Sequence, residues 1–122
     1  MQNKINSDTR RAFRQQKYLL ELNTLFKKEN IRFLLLKGLA LNQILYGTKL
    51  HRSSVDIDIL IAQEDVYKLD QLLISSGYRR THPDFELKSN QKKIALKIFD
   101  QFTYYHPHNR VVIEIHWRLF RN

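Results

Sequence analysis

The chain has 122 residues, 43% of them hydrophobic, which is enough apolar material for one core and too much for a disordered polymer. Lysine and arginine number 21 against 12 acidic residues, a net charge of +9, so the surface field attracts polyanions: nucleotides, nucleic acid or acidic head groups. There is no cysteine, which excludes disulfides, thiolate zinc sites and cysteine nucleophiles.

The amino-terminal "MQNKINSDTRR" lacks the apolar centre of a signal peptide, and no apolar run approaches bilayer-spanning length. The expectation is a cytoplasmic protein with no membrane partner. Residues 8–29 place Phe13, Leu19, Leu20, Leu22, Leu25 and Phe26 at helical spacing, with Ser7, Asp8 or Thr9 as cap and Asn30 as stop. "IRFLLLKG" is a short continuous apolar run and predicts a buried strand; "GLALNQILYG", bounded by Gly38 and Gly47, predicts a short helix. The polar loop "HRSS" follows.

"VDIDILIA" alternates with period two. Val55, Ile57, Ile59 and Ile61 take one face of a strand, and Asp56 and Asp58 share the other. "AQEDVYKLDQLLISSG" predicts a helix with Val66, Leu69, Leu72 and Leu73 as its stripe and Gly77 as its end. Residues 78–98 give a strand start and a loop around Pro83, with nothing assigned beyond. "FDQFTYYHP" and "RVVIEIHWRLF" predict a hairpin joined at "HPHN". The fold class is therefore α/β (α+β): a mixed sheet with helices packed on it.

On the last strand Glu114 shares a face with Val112, His116 and Arg118. If that strand neighbours the one bearing Asp56 and Asp58, three carboxylates converge, and three like charges so close require a cation. Hard divalent cations with oxygen ligands fit, and two such ions about 3.5–4 Å apart clamp both oxygens of an in-line displacement at phosphorus. A lone DxD on a solvated sheet face is the plainer reading. Haloacid dehalogenase-type phosphatases need an apolar strand before the first Asp, where "HRSS" stands. Glycosyltransferases place their DxD in a loop, whereas apolar residues here continue through Leu60 and Ile61.

Taken together, "LLLKG", "RSSVDIDIL" and "VVIEIHW" resemble the DNA polymerase beta-type nucleotidyltransferase superfamily. More narrowly, the chain resembles its uncharacterised nucleotidyltransferase branch, over Phe33 to Trp117. The resemblance implies transfer of a nucleoside monophosphate from an NTP to a hydroxyl acceptor (small molecule, protein or RNA) with Mg²⁺ or Mn²⁺. By position, Asp56, Asp58 and Glu114 match the metal-binding and catalytic acids. Lys37 and Gly38 match the turn whose backbone N–H groups face the phosphates. The superfamily's usual Gly-Ser is Gly38-Leu39 here, and Lys37 stands in as a point charge.

Arg52, Ser53 and Ser54 are candidate phosphate contacts or solvated loop residues. His116 is a candidate nucleotide-site residue or proton acceptor beside Glu114, or a structural histidine. Trp117 and Tyr104 or Tyr105 are expected to pack in the core or along a strand. Arg10, Arg11, Arg14 and Lys17, and Lys88, Lys92, Lys93 and Lys97, are solvated helix faces or nucleic-acid contacts. Residues 1–122 are read as one nucleotidyltransferase-like domain that lacks the further C-terminal helices relatives carry, either as a fragment or as a minimal form completed by a partner protein or a second copy. The rival reading is a non-catalytic, antitoxin-like module that binds nucleotide or RNA through its charge.

Overall fold

The computed structural model describes residues 5–36 and 54–119, with side chains from Thr9 onward. Its elements are α1 (Ile5–Lys28), β1 (Phe33–Leu35), β2 (Val55–Ile61), α2 (Val66–Ser75), β3 (Arg79–His82), α3 (Ser89–Ile98), β4 (Gln101–His106) and β5 (Val111–His116). A 3-10 turn, Gln63–Asp65, leads into α2. The predicted helix between Gly38 and Gly47 lies outside the described residues, as do Lys37, Gly38, Arg52 and Ser53.

The five strands form one mixed sheet in the order β1-β2-β5-β4-β3. Only β2 and β5 run parallel; the other three pairs are antiparallel. The odd-numbered residues of β2 and β5 (Val55, Ile57, Ile59, Ile61, Val111, Ile113, Ile115) are buried with Phe102 and Tyr104 of β4. Tyr18, Leu22 and Phe26 of α1, together with Val66, Leu69 and Leu73 of α2, complete the same core.

α1 is longer than its periodicity predicts, starting at Ile5, and Phe13 and Leu20 of the predicted stripe are exposed. Its end is where expected. Asn30 takes a φ of +60°, the left-handed stop that asparagine tolerates, and the Ile31 N–H returns to the Phe26 carbonyl at 2.9 Å.

The run "IRFLLLKG" gives a three-residue strand whose Leu34 and Leu35 are exposed, not the buried strand expected from its composition. The reason is topological. Among the described residues β1 pairs with β2 alone and stands at the end of the strand order, so its apolar residues are not enclosed on both sides. β3 begins where expected, after Gly77, whose φ of +98° suits glycine. α3 occupies the stretch left unassigned; only Ala95 of it is buried. The indole N–H of Trp117 donates to the Leu96 carbonyl (3.0 Å), and the Tyr67 hydroxyl donates to the Lys92 carbonyl (2.7 Å). α3 is thus fastened largely by polar contacts, with half-buried Leu96 packed against the core beside Ala95.

Arg80 ties the far edge together. Its Nη1 meets Asp70 Oδ1 at 2.8 Å, while Nε and Nη2 donate to the Pro83 and Phe85 carbonyls. The Tyr104 hydroxyl donates to the same Asp70 oxygen. Among the described residues, no buried side-chain nitrogen or oxygen lacks a hydrogen-bond partner.

Candidate active site

The helix-covered face of the sheet is apolar; the acids stand on the other. The parallel pairing of β2 with β5 sets Asp56 opposite Val112, Asp58 opposite Glu114 and Leu60 opposite His116. Directly opposed residues on neighbouring strands have Cβ atoms about 5 Å apart, so their side-chain oxygens share one small volume. Asp58 is buried at 7% exposure, and Glu114 and His116 are half-buried.

Ligand-capable atoms of Asp58, Glu114 and His116 all lie within 4.8 Å of one another. His116 Nε2 makes a short hydrogen bond to Asp58 Oδ1 and stands 3.8 Å from Glu114 Oε1. Asp56 is on the same face but outside that tight trio; its Oδ1 accepts a hydrogen bond from the Ser54 hydroxyl at 3.2 Å.

Electrostatics follow from this crowding. Burial pushes the Glu114 carboxyl above its ordinary pKa, the charges of Asp58 and Asp56 push the same way, and His116 opposes them. Burial works against a charged His116, but its hydrogen bond to Asp58 and the charges of Asp58, Glu114 and Asp100 outweigh that, and its pKa is raised. The group therefore favours positive charge at its centre. A protonated imidazole supplies it within the chain, and a cation ringed by the same oxygens would supply more.

The strand carrying the acids is braced by α1. Arg11 donates to the Ser54 carbonyl (3.1 Å), Gln15 to the Asp56 carbonyl (3.0 Å) and Arg14 to the Asn109 carbonyl (2.9 Å). Two arginines read in the sequence as solvated or nucleic-acid-facing thus grip the backbone beside the site. No spacing rule identifies such contacts, because a carbonyl acceptor leaves no mark in the sequence. Ser54, read as a phosphate contact or a loop residue, is buried beside Asp56. Trp117 and Tyr104 are core residues, as expected.

A family model described as uncharacterised nucleotidyltransferase matches residues 1–122. The chain belongs to that family. No curated protein and no solved structure matches it. Membership gives this chain a coarse chemical meaning, that of a transferase acting on nucleotides. The mixed sheet with three helices is consistent with a nucleotidyltransferase-like core. No helix among the described residues is long and apolar enough to cross a membrane.

Proposed function

We propose that this chain moves a nucleoside monophosphate from an NTP to a hydroxyl acceptor, using Asp56, Asp58 and Glu114 as the acids that hold Mg²⁺ or Mn²⁺. The observation that carries the reading is the register of the parallel pair, which sets Asp58 against Glu114 with Asp56 on the same face. The donor set fits a hard divalent ion: carboxylate oxygens of Asp58 and Glu114 crowded together beside His116, with Asp56 on the same face. When bound, such an ion neutralises phosphate charge and polarises the α-phosphorus toward attack.

The residues themselves divide the remaining tasks. Asp58, buried and oriented by its hydrogen bond to His116, is the fixed point of the cluster. Ser54 orients Asp56. Glu114, with its raised pKa, is suited to take the proton of the acceptor hydroxyl, which then forms the new O–P bond while the bond to the pyrophosphate oxygen breaks. Lys37, Gly38, Arg52 and Ser53 are the proposed phosphate contacts.

Incubation with α-labelled NTPs, Mg²⁺ and cell extract tests this. Label should pass to an acceptor with wild type, and transfer should fall at least 100-fold with Asp58→Asn. If no nucleotide gives transfer, and polyanion binding ignores Mg²⁺ while weakening steeply with salt, a non-catalytic binding module is the better description.

A further inference from the structure

The acid face does not end at β5. The register continues it across the sheet, so that Thr103 of β4 lies opposite Glu114 and Tyr105 opposite Val112. One strand further, Arg79 of β3 lies opposite Tyr105. Reading across, one row runs Asp56, Val112, Tyr105, Arg79, and the next runs Asp58, Glu114, Thr103 and, past a register shift in β3, His82. Tyr105 and Thr103 are half-buried and Arg79 is exposed. Their neighbours Arg80 and Tyr104 belong to the opposite, helix-covered face, where they meet Asp70.

This shelf has a definite chemistry. It carries a hydroxyl beside the acids, an aromatic ring next along and a guanidinium at its far edge. Neighbouring strands are about 4.8 Å apart, so Arg79's strand is about 10 Å from Glu114's, a distance the long arginine side chain shortens. A ring stacks on tyrosine, and a phosphate pairs with arginine through two parallel N–H donors. A hydroxyl at Glu114, a ring over Tyr105 and a phosphate at Arg79 together describe one nucleoside phosphate lying across β5, β4 and β3. Acids attract no phosphate, so the phosphate belongs at the arginine end and the hydroxyl at the acid end.

We infer that the β4–β3 shelf is the acceptor subsite, and that the acceptor is a nucleoside phosphate presenting its sugar hydroxyl to Glu114. This rests on the transfer reading for the chemistry of the acids, though not for the binding itself. The nucleoside phosphate comes either from the 3′ end of an RNA strand or from a free nucleotide. Tyr105 and Arg79 act as binding residues, the first through its ring and the second through its charge.

The test is binding, measured by fluorescence anisotropy with a labelled single-stranded RNA hexamer bearing a free 3′-hydroxyl, and with AMP as competitor. Tyr105→Ala should weaken hexamer binding about tenfold, whereas Tyr105→Phe, which keeps the ring, should stay within twofold. Arg79→Gln, at an exposed position that leaves the fold alone, should lower the slope of log affinity against log salt by about one. AMP displacing the hexamer with the same Tyr105 dependence points to a free nucleotide; AMP failing to displace it points to a strand end. Either supports the subsite. Equal binding by wild type, Tyr105→Ala and Arg79→Gln, or no binding of either probe, overturns it. Absence of Mg²⁺-dependent label transfer by the wild-type protein, with ring-dependent hexamer binding intact, strikes the transfer reading and spares the shelf.

Discussion

Asp58 combines near-complete burial, a hydrogen bond to a histidine and a second carboxylate directly across the strand pair. A buried carboxylate in that setting is stable only with positive charge beside it, and His116 supplies it. Substituting Asp58 by Asn removes the charge but keeps the shape, so the protein should fold and melt within a few degrees of wild type while transfer collapses; circular dichroism and the label assay together check this. Gly77 is a residue-scale case of another kind. Its φ is +98°, and a Cβ added there would lie 2.9 Å from His106 Nε2. Gly77→Ala should cost about 2 kcal/mol, read as a lower urea midpoint.

At the scale of elements, a polar clamp joins α2, β3 and β4. Asp70 accepts from both Arg80 and Tyr104, so Asp70→Ala leaves a half-buried guanidinium and a buried phenol without their shared acceptor. A loss of about 3 kcal/mol is expected, comparable with truncating a core side chain. Phe26→Ala should cost about 4 kcal/mol by opening the α1 contact with Phe33 and the core. Urea unfolding at constant m-value measures both.

The elements differ in how far the sequence discloses them. β2 and β5 are legible because one face is buried and the other is not, which writes strict alternation into "VDIDI" and "VVIEI". α2 is legible from its stripe. α3 is not, since it buries one alanine and is held by the Trp117 and Tyr67 hydrogen bonds, whose partners are backbone carbonyls. The apolar run at β1 suggested enclosure because composition says nothing about a strand's place at the edge of a sheet. The candidate acids were legible as two separate face-sharing patterns; that they meet depends on β2 pairing with β5, which lies about fifty residues on in sequence and is settled only by topology.

For the whole molecule, the tyrosines report on integrity. Burial pushes Tyr78 up to about 12, with Glu21 adding to it, and burial raises Tyr104 as well, with Asp70 beside it. These groups hold their protons in the folded state at pH values where an unfolded chain, with tyrosine pKa near 10, has lost them. The folded state then binds more protons than the unfolded one, so their contribution to stability is fully present below about pH 10 and declines as pH rises toward 12. Phenolate absorbance should show part of the six tyrosines resisting titration until the chain unfolds. A titration of all six near pH 10 with the fold intact contradicts the buried placement of Tyr78 and Tyr104.

The meeting of the two acid-bearing strands is tested most directly by titrating Mn²⁺ into the protein with a non-hydrolysable NTP analogue and following the free-ion electron paramagnetic resonance signal. Wild type should deplete that signal, and Asp58→Asn and Glu114→Gln should each weaken binding at least tenfold, because the proposed cation site draws on both strands. Ion binding that is undiminished when Glu114 is replaced would contradict it.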